Sequence, residues 1–522
     1  MKKNFLFVVP RFAKKGEYYP FPYGLGYVIA NMKKHGFNVF VLNLCHHEES
    51  FNDLLFKAVL VLGVDVVCTG GMSVHWNEIE EVLNGVKSFY PDVVTVVGGA
   101  IVTSDPELAL KNLPIDFGVI GEGEETMVAL ADALCNDKVV EEVHGVCFMR
   151  DSKVFFTEPR PPIQDLDSLP FPDYEALGFD EWIQVSSYPK RINWLEYGLL
   201  DPHRSVDVFA SRSCPFRCTF CYHPLGNQYR QRSLDNVFQE IRYLKEKYGI
   251  TSINFQDELF SVDKARVCEF ASRIKGVGIE YFVQWRVDNV DEKMLLALRD
   301  SGVRYLELGV ESFSDTVLKS MGKGTTRAQI ENAYRLCDKV GIRVISNVIL
   351  GDPAETEDTI KESLDWVRYH PEYDINIGFI LAIPDSELWR YAISKGLISD
   401  KFDFIKKRFP VINLTGIDSH RFRRIQRKVA MLNLRKKNIV PGKLVSSKSV
   451  SDFIVECPVC GQESRFLYQR YSVFPFSIVV CKHCFKRFKV STKEAFHLSF
   501  FSWLWSISLM KVKIMYVSLF GG

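Results

Sequence analysis

A chain of 522 residues is longer than one hydrophobic core usually organises, so two or three domains are expected. The 65 lysines and arginines nearly balance the 64 aspartates and glutamates, and the formal net charge of +1 argues against a general polyanion-binding protein. Hydrophobic residues make up 47% and charged residues 25%, which excludes a disordered or multi-spanning chain.

The amino terminus, MKKNFLFVVPRF, has a short apolar run but no small-residue cleavage site, so it is predicted to form a first strand. Thirteen cysteines without a secretory signal indicate a reducing compartment, and a cytoplasmic location is expected. Seven of the thirteen lie in two tight clusters, as metal-binding thiols do.

Residues 1–150 alternate short β-rich runs with helical patterns, which predicts an α/β fold with a doubly wound parallel sheet. Helices are predicted near Tyr27–His35, Phe51–Leu62 and Asn77–Phe89. Several predicted strands end in glycine, and ligands of such sheets bind beyond the carboxyl ends of the strands. The candidate ligand-binding positions are Gly70, Gly71 and Ser73, then Gly98 and Gly99, then Gly121, Glu122 and Gly123. Tight turns that bind nothing are the alternative.

Residues 151–195 are predicted to form a linker, because Glu158–Tyr174 contains five prolines and little periodicity. A second alternating series of strands and helices occupies residues 196–400. Parallel strands separated by helices over this length indicate a complete or partial (β/α) barrel of the TIM type, with its chemistry at the strand C-termini. A basic helical extension is predicted for residues 401–450.

The last two predicted segments are a zinc-ribbon-like module at residues 451–490 and an apolar tail at residues 491–522. Cys457 and Cys460 form one CxxC pair, and Cys481 and Cys484 form a second pair twenty residues later. Four thiolates at this spacing suit a closed, structural zinc site, and redox pairs are the alternative. The tail is too short to span a bilayer, so it either packs on the protein or contacts a membrane surface.

Cys214, Cys218 and Cys221 follow the first strand of the barrel-like series with the spacing CxxxCxxC. Three local thiolates on a four-iron cluster leave one iron open to a small-molecule ligand. A fourth cysteine from elsewhere would instead make a closed cluster, and His223 could complete a zinc site. The position of the loop at the start of the barrel favours the open cluster.

The sequence Cys214-Pro-Phe-Arg-Cys218-Thr-Phe-Cys221 resembles the signature of the radical S-adenosylmethionine superfamily. Further segments are similar to the branch of that superfamily with an N-terminal cobalamin-binding, Rossmann-like domain, and the resemblance covers roughly residues 1–400. These segments are LDSLPFPDY, Phe255-Gln-Asp257-Glu258, Gln284-Trp-Arg286-Val-Asp288, Glu307-Leu-Gly309-Val-Glu311-Ser312, Met321-Gly-Lys323-Gly324 and Gly351-Asp-Pro353-Ala-Glu355-Thr356.

The resemblance implies a 4Fe-4S cluster that reduces S-adenosylmethionine to methionine and a 5′-deoxyadenosyl radical, which then abstracts a substrate hydrogen. It implies that Phe220 faces the adenine, that Glu311 and Ser312 contact the ribose or methionine end, and that Asp257 and Glu258 meet the amino group. Arg286 and Gly309 are expected to bind the cofactor as parts of the same motifs. The alternative for the carboxylates is a barrel-rim ion pair with Arg286 or Arg304.

The resemblance also implies cobalamin in the first domain, with the three glycine-bearing loops as its contacts. The loop Pro10–Gly24 has no histidine, which argues against axial histidine ligation, and Ile101 replaces a histidine that relatives often carry. His46 and His47 are expected at the surface.

Methyl transfer from methylcobalamin is therefore the expected reaction. The alternatives are a radical cyclase or rearrangement enzyme, an RNA-modifying enzyme that uses the zinc ribbon, and a non-catalytic cobalamin sensor. Expected partners are an unidentified substrate and a one-electron donor such as flavodoxin or ferredoxin. A nucleic-acid partner is not expected, because the basic segment that includes Arg421–Lys428 is more simply interpreted as a solvated helix face.

Overall fold

A computed structural model describes residues 3–186, 204–260, 262–370, 373–434, 442–449, 452–467, 476–481, 483 and 487–491. The chain divides into two compact units. The first comprises Met1–Val185, Arg212–Tyr243 and Leu381–Pro410, and the second comprises Ser186–Ser211, Leu244–Ile380 and Val411–Gly522. The loop with Cys214, Cys218 and Cys221 thus belongs to the same unit as the amino-terminal sheet.

The first unit contains a seven-stranded sheet. Its strands are β1 (Asn4–Val9), β2 (Asn38–Asn43), β3 (Val66–Gly70), β4 (Val94–Gly98), β5 (Phe117–Val119), β6 (Val146–Arg150) and β7 (Lys153–Phe156). The accompanying helices are α1 (Tyr23–Lys34), α2 (Phe51–Leu62), α3 (Trp76–Phe89), α4 (Ala100–Thr103), α5 (Pro106–Asn112), α6 (Gly123–Cys135) and α7 (Phe179–Ser186).

The strand order is β2-β1-β3-β4-β5-β6-β7, and the first five strands are parallel. This confirms the predicted parallel sheet. Consecutive residues of β1 are buried, from Phe5 to Val9, because both faces of a doubly wound sheet are covered. The order reverses between β1 and β3, and open α/β sheets bind their ligands at such a switch point.

An antiparallel hairpin, β6 and β7, extends the sheet beyond the predicted strands. Its turn places Asp151 and Ser152 at φ of +47° and +61°, the left-handed backbone that tight hairpins require. The sequence did not indicate this hairpin, because neither of its turn residues is glycine.

From residue 151 to residue 185, the predicted linker is a packed segment of the first unit. Ile163, Leu166 and Leu169 form a small buried cluster, and Tyr174 is buried with its hydroxyl donating to Glu240 at 2.7 Å. The prolines keep the backbone extended, while the apolar residues between them bury their side chains. Proline content therefore indicated the backbone conformation but not its burial.

The next elements begin after the undescribed residues 187–203. The strands are β8 (Ser205–Val208), β9 (Ser211–Arg212), β10 (Arg230–Gln231), β11 (Ser252–Phe255), β12 (Glu280–Arg286), β13 (Val303–Glu311), β14 (Arg343–Leu350) and β15 (Asp374–Phe379). The helices are α8 (Leu234–Tyr248), α9 (Lys264–Ile274), α10 (Glu292–Ser301), α11 (Asp315–Ser320), α12 (Arg327–Val340), α13 (Glu357–Tyr369), α14 (Glu387–Ser394) and α15 (Lys401–Lys406).

Six of these strands form one parallel sheet in the order β8-β11-β12-β13-β14-β15. Neighbours in the sheet follow one another in this series, with helices between them, as the alternating pattern predicted. Among the described residues β8 and β15 are the two edges, so the sheet is a partial (β/α) barrel. All six strands point the same way, which brings their carboxyl ends to one edge.

The carboxyl-terminal elements are α16 (Ser419–Leu434), β16 (Lys443–Ser449), β17 (Asp452–Glu456), β18 (Glu463–Leu467), β19 (Phe476–Val480) and β20 (Arg487–Ser491). The last five are antiparallel strands in a three-stranded and a two-stranded sheet. The helical prediction for residues 401–450 is thus wrong at β16, where Ser446 and Ser447 pair with β17.

The apolar tail from residue 492 onward lies outside the described residues. Within the part of the chain that is described, no helix combines the length and the apolarity needed to cross a membrane.

Candidate functional site

The cysteine loop lies between β9 and β10, and Cys214, Cys218 and Cys221 are all half-buried in it. The backbone N–H of Cys221 donates to the carbonyl of Cys218 at 3.0 Å, which closes a turn between these two cysteines. The Asn227 side chain donates to the carbonyls of Cys214 and Phe216 at 3.4 and 3.1 Å. These bonds fix the backbone while leaving the three thiols partly accessible, which suits a loop that receives a metal cluster.

Other cysteines of the chain have a different environment. Cys147 and Cys337 are fully buried, and burial raises the pKa of each thiol to about 12. A thiol in such surroundings is not a thiolate at neutral pH and behaves as a small hydrophobic side chain. Cys147 and Cys337 are therefore structural cysteines, in contrast to the partly accessible thiols of the cysteine loop.

Two contacts hold the cysteine loop from outside. The backbone N–H of Leu388, in α14, donates to the carbonyl of Thr219 at 3.1 Å. The Ser104 hydroxyl donates to the Tyr222 hydroxyl at 3.1 Å, and burial raises the pKa of Tyr222 to about 12. Ser104 directly follows α4, which begins at the glycine pair after β4, so the cysteine loop contacts the edge of the amino-terminal sheet.

The glycine pairs after β3 and β4 lie against each other. A side chain at Gly70 would collide with the carbonyl of Gly98, and Gly99, at φ of +86°, has the carbonyl of Gly71 2.8 Å from the position of a Cβ. Close backbone packing thus explains these glycines without a ligand. Gly121 differs, because its φ is +74° and the space where a Cβ would lie is open. The contacts of Gly70, Gly71, Gly98, Gly99 and Gly121 with cobalamin remain predictions.

Ser73 and His75 follow β3 at the same edge. The Ser73 hydroxyl donates to the carbonyl of Ala100 at 3.3 Å, and the His75 ring lies 4.4 Å from that of Phe12. The buried Nδ1 of His75 has no hydrogen-bond partner among the described residues. Backbone amides, hydroxyls and an aromatic face suit an organic cofactor rich in amide groups, so this edge fits cobalamin. His75 was not among the cofactor-binding residues predicted from the sequence.

The histidines after β2 differ from the prediction. His46 is half-buried rather than at the surface, and its Nε2 lies 2.7 Å from the Tyr19 hydroxyl. His47 is also half-buried. The contact with Tyr19 gives His46 a structural role.

In the second unit, Asp257 lies just beyond β11. Its carboxyl group is buried and accepts a hydrogen bond from the Ser211 hydroxyl at 2.6 Å. Burial raises the pKa of Asp257 to about 7. Among the described residues Asp257 forms no ion pair, which was the alternative for this carboxylate; Arg286 pairs with Asp288, and Arg304 pairs with Glu280. The neighbouring Glu258 is exposed.

Asp257 is expected to make folding pH-dependent. Its folded-state pKa lies above the unfolded value, so the folded chain binds more protons from about pH 4 to pH 7 and its stability falls as pH rises through that window. The change is about 4 kcal/mol at most. Asp257→Asn should remove it, so the variant should gain stability over wild type at pH 8 and not at pH 4.5. Denaturant midpoints of the cofactor-free chain measure this, and equal differences at both pH values would contradict it.

Glu311 lies at the carboxyl end of β13, and Lys323 donates to its Oε1 at 2.8 Å. Glu311 has a φ of +64°, and the register of β13 against β14 shifts between Gly309 and Glu311. A non-glycine residue in this conformation costs about 1–3 kcal/mol and is often found at functional sites. A Cβ at Gly309 would lie 2.6 Å from Lys323 Nζ, so glycine there makes room for the ion pair.

Arg286 at the end of β12 binds the same segment. Its guanidinium donates to Asp288 and to the carbonyl of Lys323 at 2.8 Å. Arg286 therefore holds the backbone that presents Lys323 to Glu311. Arg286, Gly309 and Glu311 were predicted from the sequence to bind the cofactor, whereas Lys323 had no predicted role.

Ser312 does not join this group. Its hydroxyl is buried, lies 3.3 Å from the Ser363 hydroxyl and accepts the backbone N–H of Ser314. Ser312 lies just beyond the end of β13, so its hydroxyl contacts Ser363 of α13 while the Glu311 carboxylate contacts Lys323. Phe220 is half-buried in the cysteine loop, and its contact with adenine remains a prediction.

The carboxyl-terminal module brings three cysteines together. The Sγ atoms of Cys457, Cys460 and Cys481 all lie within 4.8 Å of one another, with Cys460 and Cys481 at 3.6 Å. The N–H groups of Val459 and His483 point to the sulfurs of Cys457 and Cys481 at 3.4 Å each. Cys484, the predicted fourth ligand, lies outside the described residues.

Two family descriptions match the chain. Residues 13–131 match the B12 binding domain, and residues 208–367 match the Radical SAM superfamily. An uncharacterised methyltransferase of Pyrococcus horikoshii is 30% identical over 385 residues, covering 72% of this chain and 79% of the relative. The anaerobic magnesium-protoporphyrin IX monomethyl ester cyclase of Rubrivivax gelatinosus is 27% identical over 410 residues, covering 76% and 70%.

A solved structure shares the fold. The radical S-adenosylmethionine methyltransferase TsrM from Kitasatospora setae, with cobalamin and a [4Fe-4S] cluster bound, matches with a TM-score of 0.60 and 18% identity over 76% of each chain. A parallel sheet of the cobalamin-binding type and a partial barrel with a three-cysteine loop define a class of radical enzyme. The chain belongs to the radical S-adenosylmethionine superfamily, in the branch with an N-terminal cobalamin-binding domain. These domains imply a 4Fe-4S cluster, S-adenosylmethionine and cobalamin as cofactors, and a need for an electron donor.

Proposed function

We propose that the protein is a cobalamin-dependent radical methyltransferase that replaces a hydrogen atom on an unactivated substrate centre with a methyl group. Overall, the substrate, two S-adenosylmethionine molecules and two electrons would give methylated substrate, 5′-deoxyadenosine, methionine and S-adenosylhomocysteine. The observation that carries this proposal is the joint presence of the two matched domains in a chain whose 30% identical relative is described as a methyltransferase. Flavodoxin or ferredoxin would supply the electrons.

Residues of each unit have a proposed role in cofactor binding. In the first unit, Cys214, Cys218 and Cys221 would hold the cluster, and the loops after β3, β4 and β5 would hold cobalamin. In the second unit, Glu311, Arg286 and Asp257 would bind and orient S-adenosylmethionine. The cofactors supply the reducing and radical chemistry, and the chain supplies placement and exclusion of water.

Methyl transfer can be tested without a known substrate. Anaerobically reconstituted enzyme is incubated with S-adenosylmethionine that carries a deuterated methyl group, a reductant and a small-molecule extract of the source cells. The expected result is a new compound that carries the intact labelled methyl group, together with 5′-deoxyadenosine and S-adenosylhomocysteine. New products without the label would reject methyl transfer while leaving radical chemistry intact.

A radical cyclase is the second candidate, because a relative that shares the greater part of both chains is described as a cyclase. The same incubation distinguishes the two. A cyclase would form 5′-deoxyadenosine and a product smaller by hydrogen atoms, with no S-adenosylhomocysteine.

We also propose that Cys457, Cys460, Cys481 and Cys484 bind a structural zinc ion. The described sulfurs lie close enough for one ion, and backbone N–H groups point at two of them, which suits thiolates. Cys457 and Cys481 belong to a small core with Phe453, Phe466 and Phe488, so the site would join the two small sheets.

Zinc removal should unfold this module and leave the barrel intact. Cys460→Ser is expected to release about one zinc per chain and to make the backbone around Phe453 and Phe466 exchange amide hydrogens at least about tenfold faster, because metal binding contributes to folding. Elemental analysis and hydrogen exchange measure both. Cys268→Ser, at a half-buried cysteine of α9, is the control. Full zinc retention with unchanged exchange in Cys460→Ser would contradict the proposal.

A further inference from the structure

We propose that Glu122, Glu124, Arg212 and Arg230 form a buried ionic clamp that positions the cluster-binding loop on the cobalamin-binding edge of the first unit. The inference rests on the proposed function for the identity of the two cofactors. Its geometry is independent of them. These four residues are called the Glu122 clamp below.

Glu122 is the centre of the clamp. One carboxylate oxygen accepts from Arg212 Nη1 at 2.8 Å, and the other accepts from Arg230 Nη1 and the backbone N–H of Ile163, both at 2.7 Å. Both oxygens are thus engaged by the protein itself. The side chain of Glu122, predicted to contact cobalamin, instead binds the chain on both sides of the cysteine loop.

Arg212 forms the second arm. Its Nη2 donates to Glu124 Oε1 at 2.6 Å, so one guanidinium spans two carboxylates, and its Cζ atom lies 5.3 Å from the centre of the Tyr27 ring. The backbone carbonyl of Glu124 accepts from the Asn31 side chain of α1 at 2.9 Å. The clamp therefore continues into helices α1 and α6 of the sheet domain.

The two arginines of the clamp flank the cysteine loop, one at each end. Arg212 precedes Cys214 by two residues, and Arg230 lies nine residues after Cys221. Arg230 Nη2 lies 3.4 Å from the Ser213 hydroxyl, which in turn donates to the carbonyl of Leu225 at 3.1 Å. Ser213 has a φ of +66°, so the residue directly before the first cysteine is held in a strained conformation.

Charge and burial make this arrangement hard to replace. The side chains of Glu122 and Arg230 are only 5% and 4% exposed, and those of Glu124 and Arg212 are 6% and 14% exposed. Two carboxylates face two guanidiniums, so the group has no net charge. Burial by itself would raise the pKa of Glu122, but the hydrogen bond from Arg230 and the charge of Arg212 outweigh it and lower that pKa, which favours the ionised carboxylate. Removing one member would leave a charge buried without its partner, which a protein tolerates poorly.

The functional consequence concerns the two cofactors. Glu122 lies in the loop after β5, whose glycines are predicted to contact cobalamin, and the arginines flank the loop predicted to bind the cluster. A rigid bidentate link between the two loops would fix the separation between cluster and cobalt. Glu122, Arg212 and Arg230 are therefore positioning residues, not catalytic residues.

The first experiment measures that separation in the holoenzyme. Pulsed dipolar electron paramagnetic resonance between the reduced cluster and cob(II)alamin gives a distribution of distances. Wild type should give one narrow distribution, and Glu122→Gln should broaden it, because the neutral amide cannot pair with two arginines. Glu125→Gln is the matched control, since Glu125 lies in the first turn of helix α6, which begins directly after Glu122, and makes a half-exposed contact with Arg160 at 3.6 Å.

A second experiment does not depend on the cofactors. In the full-length, cofactor-free, reduced chain, Cys214, Cys218 and Cys221 are alkylated and the rate at each is followed by mass spectrometry. Glu122→Gln and Arg230→Lys should raise these rates by about tenfold, because local opening of the loop becomes easier. Cys268 in the second unit should react at an unchanged rate.

The outcomes separate the two proposals. An unchanged distance distribution and unchanged alkylation in both variants would overturn the clamp. Absence of bound cobalamin would instead overturn the proposed function, and the alkylation result would still decide on the clamp. If Glu122→Gln failed to fold, all thiols including Cys268 would react quickly. The alkylation rates of Arg230→Lys, which keeps the charge but loses the planar guanidinium, would then decide whether the clamp holds the cysteine loop.

Discussion

Cys218→Ala is expected to abolish cluster binding and S-adenosylmethionine cleavage. The alanine removes one of three thiolates on the loop, and an iron–sulfur cluster held by two cysteines is not retained. Formation of 5′-deoxyadenosine should therefore fall by at least about a thousandfold, as when a cofactor-bearing group is lost. Iron and sulfide content, the visible spectrum of anaerobically reconstituted protein and a 5′-deoxyadenosine assay measure the effect.

Cys268→Ala is a suitable control for this prediction. Cys268 is also half-buried, but it lies on helix α9 and outside the loop between β9 and β10. Its replacement should leave cluster content and turnover at the wild-type level. An intact cluster in Cys218→Ala, or an equal loss in the control, would show that the loop does not hold the cluster.

Glu311→Gln is expected to weaken S-adenosylmethionine binding. The substitution keeps the size of the side chain and its strained backbone but removes the charge that Lys323 now faces. A charge-assisted hydrogen bond contributes about 1.5–3 kcal/mol, so the Kd should rise by roughly tenfold to a hundredfold. Equilibrium dialysis with the reconstituted enzyme measures the Kd, and uncoupled 5′-deoxyadenosine formation should fall in parallel.

The control for Glu311 is Glu280→Gln. Glu280 is a buried carboxylate that accepts from Arg304 at 2.9 Å, and it lies at the amino end of β12, the edge opposite the strand C-termini. Loss of the Glu280 charge should reduce the denaturant midpoint of the protein without changing the Kd for S-adenosylmethionine. If Glu311→Gln reduced stability alone and left the Kd unchanged, the Glu311–Lys323 pair would be a structural ion pair.

Local sequence patterns identify the domains and metal-binding segments of this protein. Local spacing determines which cysteines can share a metal, and the 2-residue and 3.6-residue hydrophobic periods determine which segments become strands or helices. A parallel sheet therefore forms in each of the two alternating series, and helix α2 appears at Phe51–Leu62, as the sequence predicts. The hairpin β6–β7 and strand β16 were not predicted because their signals depend on turn geometry and on pairing with a distant strand.

Which side chains contact one another depends on the folding of distant segments. Glu122 and Arg230 are 108 residues apart, and Lys323 reaches Glu311 only because Gly309 leaves space for it. A single sequence does not give such distances. The cofactor contact predicted at Glu122 remains a prediction, and the fold places its side chain between Arg212 and Arg230. The predicted shared role of Glu311 and Ser312 likewise meets different surroundings in the fold, because Glu311 contacts Lys323 while Ser312, just beyond the end of β13, contacts Ser363.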